Sequence, residues 1–149
     1  MITVRDAIYK IIVAMKGSLM PTEPAIQTLL FYANVRYVKE TKEPLWSEDC
    51  PAVHWKVVNL QPHCDAITDV LQLRQHRLVK KRIIEKDLPP TYVLIDGLKT
   101  PDPDVKFDQI LKDMFAGHNY KHVHEIIMRT LMYISEGGFR EGDTIEIKY

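Results

Sequence analysis

Six histidines and two cysteines are the side chains best suited to chemistry in this 149-residue chain. His118 and His122 stand four residues apart, a spacing that can put both imidazoles on one helix face. They would make zinc ligands if folding brought in His124, Cys50, His54, His63 or Cys64. A His-Glu-x-x-His helix is nevertheless missing, because Asn119 follows His118, and no Cys-x-x-Cys pair occurs. Surface or core histidines are therefore the expectation, with no metal and no cofactor. Cys50 or Cys64 beside His54 or His63 would form an activated nucleophile only if they also met in space. The chain has no nucleophile elbow or phosphate-cradling glycine loop, and only six glycines in all. No catalytic residue is assigned, and the expectation is a protein that is not an enzyme.

Charge supplies the next candidate. Residues 74–86 form the one dense basic tract, with Arg74, Arg77, Lys80, Lys81, Arg82 and Lys86. Closely spaced cations can release counterions from a phosphate backbone, so one reading is a nucleic-acid-binding regulator. The preferred reading is a solvated helix face with Leu78, Val79, Ile83 and Ile84 turned inward. An acidic protein partner would also suit it, and so would pairing with Asp102, Asp104, Asp108 and Asp113 across a homodimer. Aromatic and arginine side chains dominate many protein interfaces. On that basis Tyr37, Trp55, Arg74 and Arg77 are candidate partner contacts, with Lys80 and Lys81 beside them.

These residues need elements to hold them. Thr3 and Asp6 mark a helix start, after which Val4, Ala7, Ile8, Ile11, Ile12 and Met15 share one face until Gly17 and Ser18. Thr22, Glu23 and Pro24 open a second helix with the stripe Ile26, Leu29, Leu30, Ala33 and Tyr37. Leu30 should be buried against the first helix and against an apolar plug, Leu45-Trp46, in the irregular stretch 42–51. Phe31 and Tyr32 widen that stripe, so the helix should be buried from several sides or meet a partner. Residues 52–60 alternate too poorly for a strand and read as loop or short helix. From His63 a third helix should run through Ile67, Val70, Leu71 and Leu78 into the basic tract, stopping at Pro89-Pro90.

A short strand at 92–95 and the Asp96-Gly97 turn then suggest a small hairpin. Asp102 or Asp104 should cap a fourth helix carrying Val105, Ile110, Leu111, Met114 and Phe115. Val123, Ile126, Ile127, Leu131 and Ile134 define a longer one that ends at Gly137-Gly138. The tail 144–148 alternates like an edge strand. The fold class expected is mainly α: a single compact helical domain over residues 1–149 with a minor β element, a hairpin or C-terminal edge strand.

Composition agrees with one globular domain: 46% hydrophobic and 27% charged residues can build a core. Twenty Lys+Arg cancel twenty Asp+Glu, so no global field draws a polyanion and a dedicated DNA-binding protein is disfavoured. No signal peptide or membrane-spanning run is legible. Two cysteines at this length read as free thiols of a reducing cytoplasm.

One stretch carries a resemblance. Ile26-Gln27-Thr28-Leu29-Leu30-Phe31-Tyr32-Ala33 resembles the Leu-Gln-Lys-Leu-Leu-Tyr-Phe-Ala helix of the SocA-like, or Panacea-domain, antitoxin family. Pro44-Leu45-Trp46-Ser47-Glu48-Asp49, followed by Ala52-Val53, is similar to that family's Pro-Leu-Phe-x-Glu segment and its following Ala-Trp. The likeness covers residues 22–60. It departs where the family has a Gly-Pro pair before a valine-rich step and this chain has Lys56-Val57 before Val58; the basic tract and residues 92–103 have no counterpart. The resemblance implies a non-enzymatic binding module without a cofactor. Its partner would be a protein, a toxin or a host factor, in the cytoplasm of a bacterial cell or a phage-infected host.

Overall fold

Two threonines start the helices that carry the core. In the computed structural model, which describes residues 1–47 and 53–147, Thr3 Oγ1 accepts from the Asp6 amide at 3.1 Å and opens α1, Val4–Met15. Thr22 Oγ1 accepts from the Ala25 amide at 3.4 Å and opens α2, Glu23–Thr41, with Pro24 in its first turn. The α1 stripe is buried along its length, from Val4 to Met15.

Helix α2 behaves differently. Ten of its residues are buried, including Leu30, Phe31, Gln27, Thr28 and Asn34, and they do not fall on one stripe. It packs against α1, α4 and α5 and against β-structure, so it is the central helix. Lys42 ends it in the left-handed conformation, φ 61°, and sends the chain back toward the plug. There the Ile2 amide donates to the Leu45 carbonyl and the Ser47 amide to the Ile2 carbonyl, both at 2.9 Å. Leu45 is fully buried and Trp46 packs partly buried beside it.

The remaining chain corrects the mainly α expectation. The fold is mixed α/β: about half of the described residues are helical and 14% are strand, with two small antiparallel sheets. Residues read as loop or short helix form β1, Trp55–Val58. It turns through Asn59 and Leu60, both at positive φ, into β2, Gln61–His63. The tail supplies β5, Thr144–Ile145, on the other edge of β1, so the order is β2-β1-β5. These strands are four residues or fewer, too short for alternation to declare itself.

The third helix is also shorter than expected. α3 covers Asp65–Gln72 and a single 3-10 turn, Arg74–His76, follows it. Arg77 then adopts φ 47° and redirects the chain into β3, Val79–Arg82. Its partner β4, Thr91–Leu94, pairs backward across 83–90 rather than forward across Asp96-Gly97. Asp104 caps α4, Val105–Met114, by accepting from the Phe107 amide at 3.0 Å, and α5 spans Tyr120–Glu136. Among the described residues no helix is long and apolar enough to cross a membrane.

Candidate functional site

The middle of the basic tract, Val79–Arg82, is a strand, which changes what its side chains can do. Strands β3 and β4 form a two-stranded ribbon in the register Val79↔Leu94, Lys80↔Val93, Lys81↔Tyr92 and Arg82↔Thr91. Successive side chains point to opposite faces, so Val79 and Lys81 share one face and Lys80 and Arg82 the other. The ribbon is anchored on the β4 side. Tyr92 is buried, its amide donates to the Pro21 carbonyl at 2.9 Å and its hydroxyl accepts from Gln72 Nε2. Burial and the nearby Glu23 carboxylate push the Tyr92 phenol above its ordinary value, against the opposing Gln72 hydrogen bond. At the base, Leu78 is buried, and Arg5 donates to the carbonyls of His76 and Arg77 at 3.1 and 3.2 Å.

The cations of the tract face solvent. Arg74, Arg77, Lys80, Lys81, Arg82 and Lys86 are all exposed. Ile83 and Ile84 were expected to turn inward but are 70% and 54% exposed, and Leu88 is 54% exposed. They sit in the connection between the strands, where no helix exists to fold them onto the core. This exposed apolar trio among cations is the candidate feature that periodicity missed. Its signal was the Ile83-Ile84 pair flanked on both sides by charges and closed by Pro89-Pro90, a poor fit to one helical stripe.

Two candidate contacts leave the set. Tyr37 and Trp55 are buried, at 5% and 3% exposure, because their rings fill the core. The Tyr37 hydroxyl accepts from the N-terminal amine at 3.2 Å, and burial followed by the Asp104 and Glu43 charges raises its pKa. Trp55 stands edge-on to Phe31, centroids 5.2 Å apart, and its indole N–H donates to Asn34 Oδ1 at 2.9 Å.

The reactive side chains among the described residues do not converge. His122 and His124 are exposed on α5, where His124 stacks on Tyr120, while His63 lies at the end of β2. Among the described residues no three His, Cys, Asp or Glu side chains are grouped to hold a metal ion. Cys64 is a buried free thiol whose pKa is pushed up by burial, the state least suited to a nucleophile. His63 Nε2 lies instead 3.2 Å from Asp65 Oδ1 and 3.3 Å from Thr68 Oγ1. Glu48, Asp49, Cys50 and Ala52 lie outside the described residues, as do Pro51 and Lys148 at the ends of the stretch 42–51 and the tail 144–148.

No family model matches the chain, and neither a curated protein nor a solved structure matches it.

Proposed function

We propose that this protein is a non-enzymatic protein-binding module, an antitoxin-like or phage-encoded protein that neutralises or redirects a partner by occupying its surface. The observation that carries the reading is the exposed trio Ile83, Ile84 and Leu88 set among the ribbon cations. Exposed apolar side chains ringed by polar ones have the composition of a protein contact, with apolar anchors at the centre and charge at the rim. The likeness of residues 22–60 to the Panacea-domain antitoxins supplies the partner class, a toxin or a host factor met in the cytoplasm. A nucleic-acid regulator is the second reading, favoured by the exposure of all six cations, three of them, Lys80, Lys81 and Arg82, on a two-stranded ribbon narrow enough for a major groove.

The test is purification of the protein and of the Ile83→Ser/Ile84→Ser variant from native host cells. The expected result is a stoichiometric protein partner retained by the first and lost by the second, with unchanged melting since neither side chain is in the core. No stoichiometric protein on the unmodified chain, or equal recovery by both, would sink the reading.

A further inference from the structure

The ribbon offers more than side chains, because one of its edges carries no strand among the described residues. β4 is bridged on its outer side at Thr91 to Thr22, while the sheet ends at β3. Residues of an antiparallel pair alternate between exchanging backbone hydrogen bonds with the partner and turning those groups outward. The Ile95 amide donates to the Leu78 carbonyl at 3.0 Å, and the Tyr92 amide turns away from β3 to Pro21. In that phase Lys80 and Arg82 bond toward β4, and Val79 and Lys81 direct their N–H and C=O groups away from it. Among the described residues no hydrogen bond to those outward groups is formed.

A cleft of about 480 Å³ lies beside this strand, lined by residues 71–74 and 79–81. It takes lining from β3 and none from β4, which sets it along the open side. Leu73 is 45% exposed, an apolar side chain with a free face. We infer that the outer edge of β3 is a strand-addition site for an extended, acidic segment of the partner protein. The inference rests on the protein-binding reading and specifies how that binding is made.

The chemistry of the occupant follows from the pleat. An added strand would exchange backbone hydrogen bonds with Val79 and Lys81 and alternate its side chains between two faces. On the face of Val79 and Lys81 it meets the exposed side of Leu73 and favours apolar residues, with Lys81 and Arg74 at the margin; on the other face Lys80 and Arg82 favour carboxylates. A second copy of this chain does not fit, because pairing β3 with itself would bring Lys80, Lys81 and Arg82 against their equivalents. A nucleic acid would use the cations but leave the backbone edge and the leucine cleft idle.

The probe is a short synthetic peptide alternating valine and glutamate, titrated into the full-length protein with amide NMR as the readout. The Val79 and Lys81 amides should shift and gain exchange protection. An analogue N-methylated on its pairing edge, and one with lysine for glutamate, should each bind at least about fivefold more weakly, the loss of one net hydrogen bond or ion contact. Lys81→Pro deletes an outward N–H without touching the β4 ladder, so it should fold and still lose about fivefold relative to Lys81→Ala, which controls for the charge. Absence of peptide binding, equal binding by the N-methylated analogue, perturbation mapped elsewhere, or a DNA duplex replacing the peptide as the tighter ligand at these amides overturns strand addition. A host partner held equally by Lys81→Pro and by the unmodified chain overturns it too, while leaving protein binding standing; failure of the unmodified chain to retain any Ile83/Ile84-dependent partner overturns the broader reading instead.

Discussion

Asn34 shows how one polar atom can organise a core. Its Oδ1 accepts from the indole N–H of Trp46 at 3.0 Å and of Trp55 at 2.9 Å, tying the plug after α2 to the first strand. An indole nitrogen only donates, so each needs an acceptor when water is excluded. Asn34→Leu keeps the volume and removes that acceptor; we expect a loss of about 1–3 kcal/mol from the buried Trp55 donor, read by urea melts. An unchanged midpoint would show that another acceptor takes over. The role was illegible beforehand because helix patterning registers where apolar residues recur and treats a buried asparagine as noise. Tyr37 and Trp55 were misread for a related reason: aromatic rings are enriched both in cores and at interfaces. Cys64 gives a second check at this scale. With its thiol buried and its pKa raised, a Cys50→Ser variant should react with a thiol reagent only after unfolding.

Among the elements, α2 decides stability and the ribbon decides exposure. Leu30 is fully buried within the cluster that α2 organises, so Leu30→Ala should cost about 2–5 kcal/mol through lost contacts and a residual cavity. Lys80→Ala on the exposed strand should change stability by less than about 0.5 kcal/mol. Denaturant melts of the two separate core from surface; equal small losses would place Leu30 on a free face. This contrast was readable from sequence, since the α1 and α2 starts and the buried stripes depend on local capping and long periodicity. The β-structure was not, because β1, β2 and β5 are too short to show a period, and β3 reads as Val-Lys-Lys-Arg, which fits a solvated helix as well as an edge strand. The α2 to α4 seam adds a pH effect. Glu40 is pulled up by desolvation, but hydrogen bonds and charge from Lys106 and Arg36 outweigh that and hold its carboxyl below the ordinary value. A lowered folded pKa gives stability that is present above the unfolded value and lost as pH falls through the folded one. Glu40→Gln should therefore slightly flatten the acid limb of the stability curve, a small effect because the pair is partly exposed.

Across the whole molecule the charges cancel, yet their distribution does not. Within residues 74–86 six Lys and Arg side chains face the single carboxylate Glu85, while the chain as a whole carries twenty of each sign. Folding draws little from this asymmetry. The main cluster is apolar, and in ion pairs such as Lys56 with Asp65 or Arg36 with Asp113 the acid is half or more exposed, a class worth about 0–1 kcal/mol each. Binding through the ribbon draws on it directly, since local positive potential steers an acidic partner even when the net charge is zero. Raising salt from about 0.1 M to about 1 M shortens the screening length from about 10 Å to about 3 Å. The denaturant midpoint should then shift little beyond the salt's general effect on burial, while affinity for an acidic protein segment falls by about tenfold, mostly in the association rate. A nucleic acid held by six phosphate contacts behaves otherwise: each contact contributes a slope of about 0.9 in log affinity against log salt, so the same change would erase about five decades. The slope measured with a purified partner therefore tests the occupant of the ribbon independently of any structural map: a value near one supports an apolar and backbone contact rimmed by charge, and a value near five would transfer the ribbon to nucleic acid.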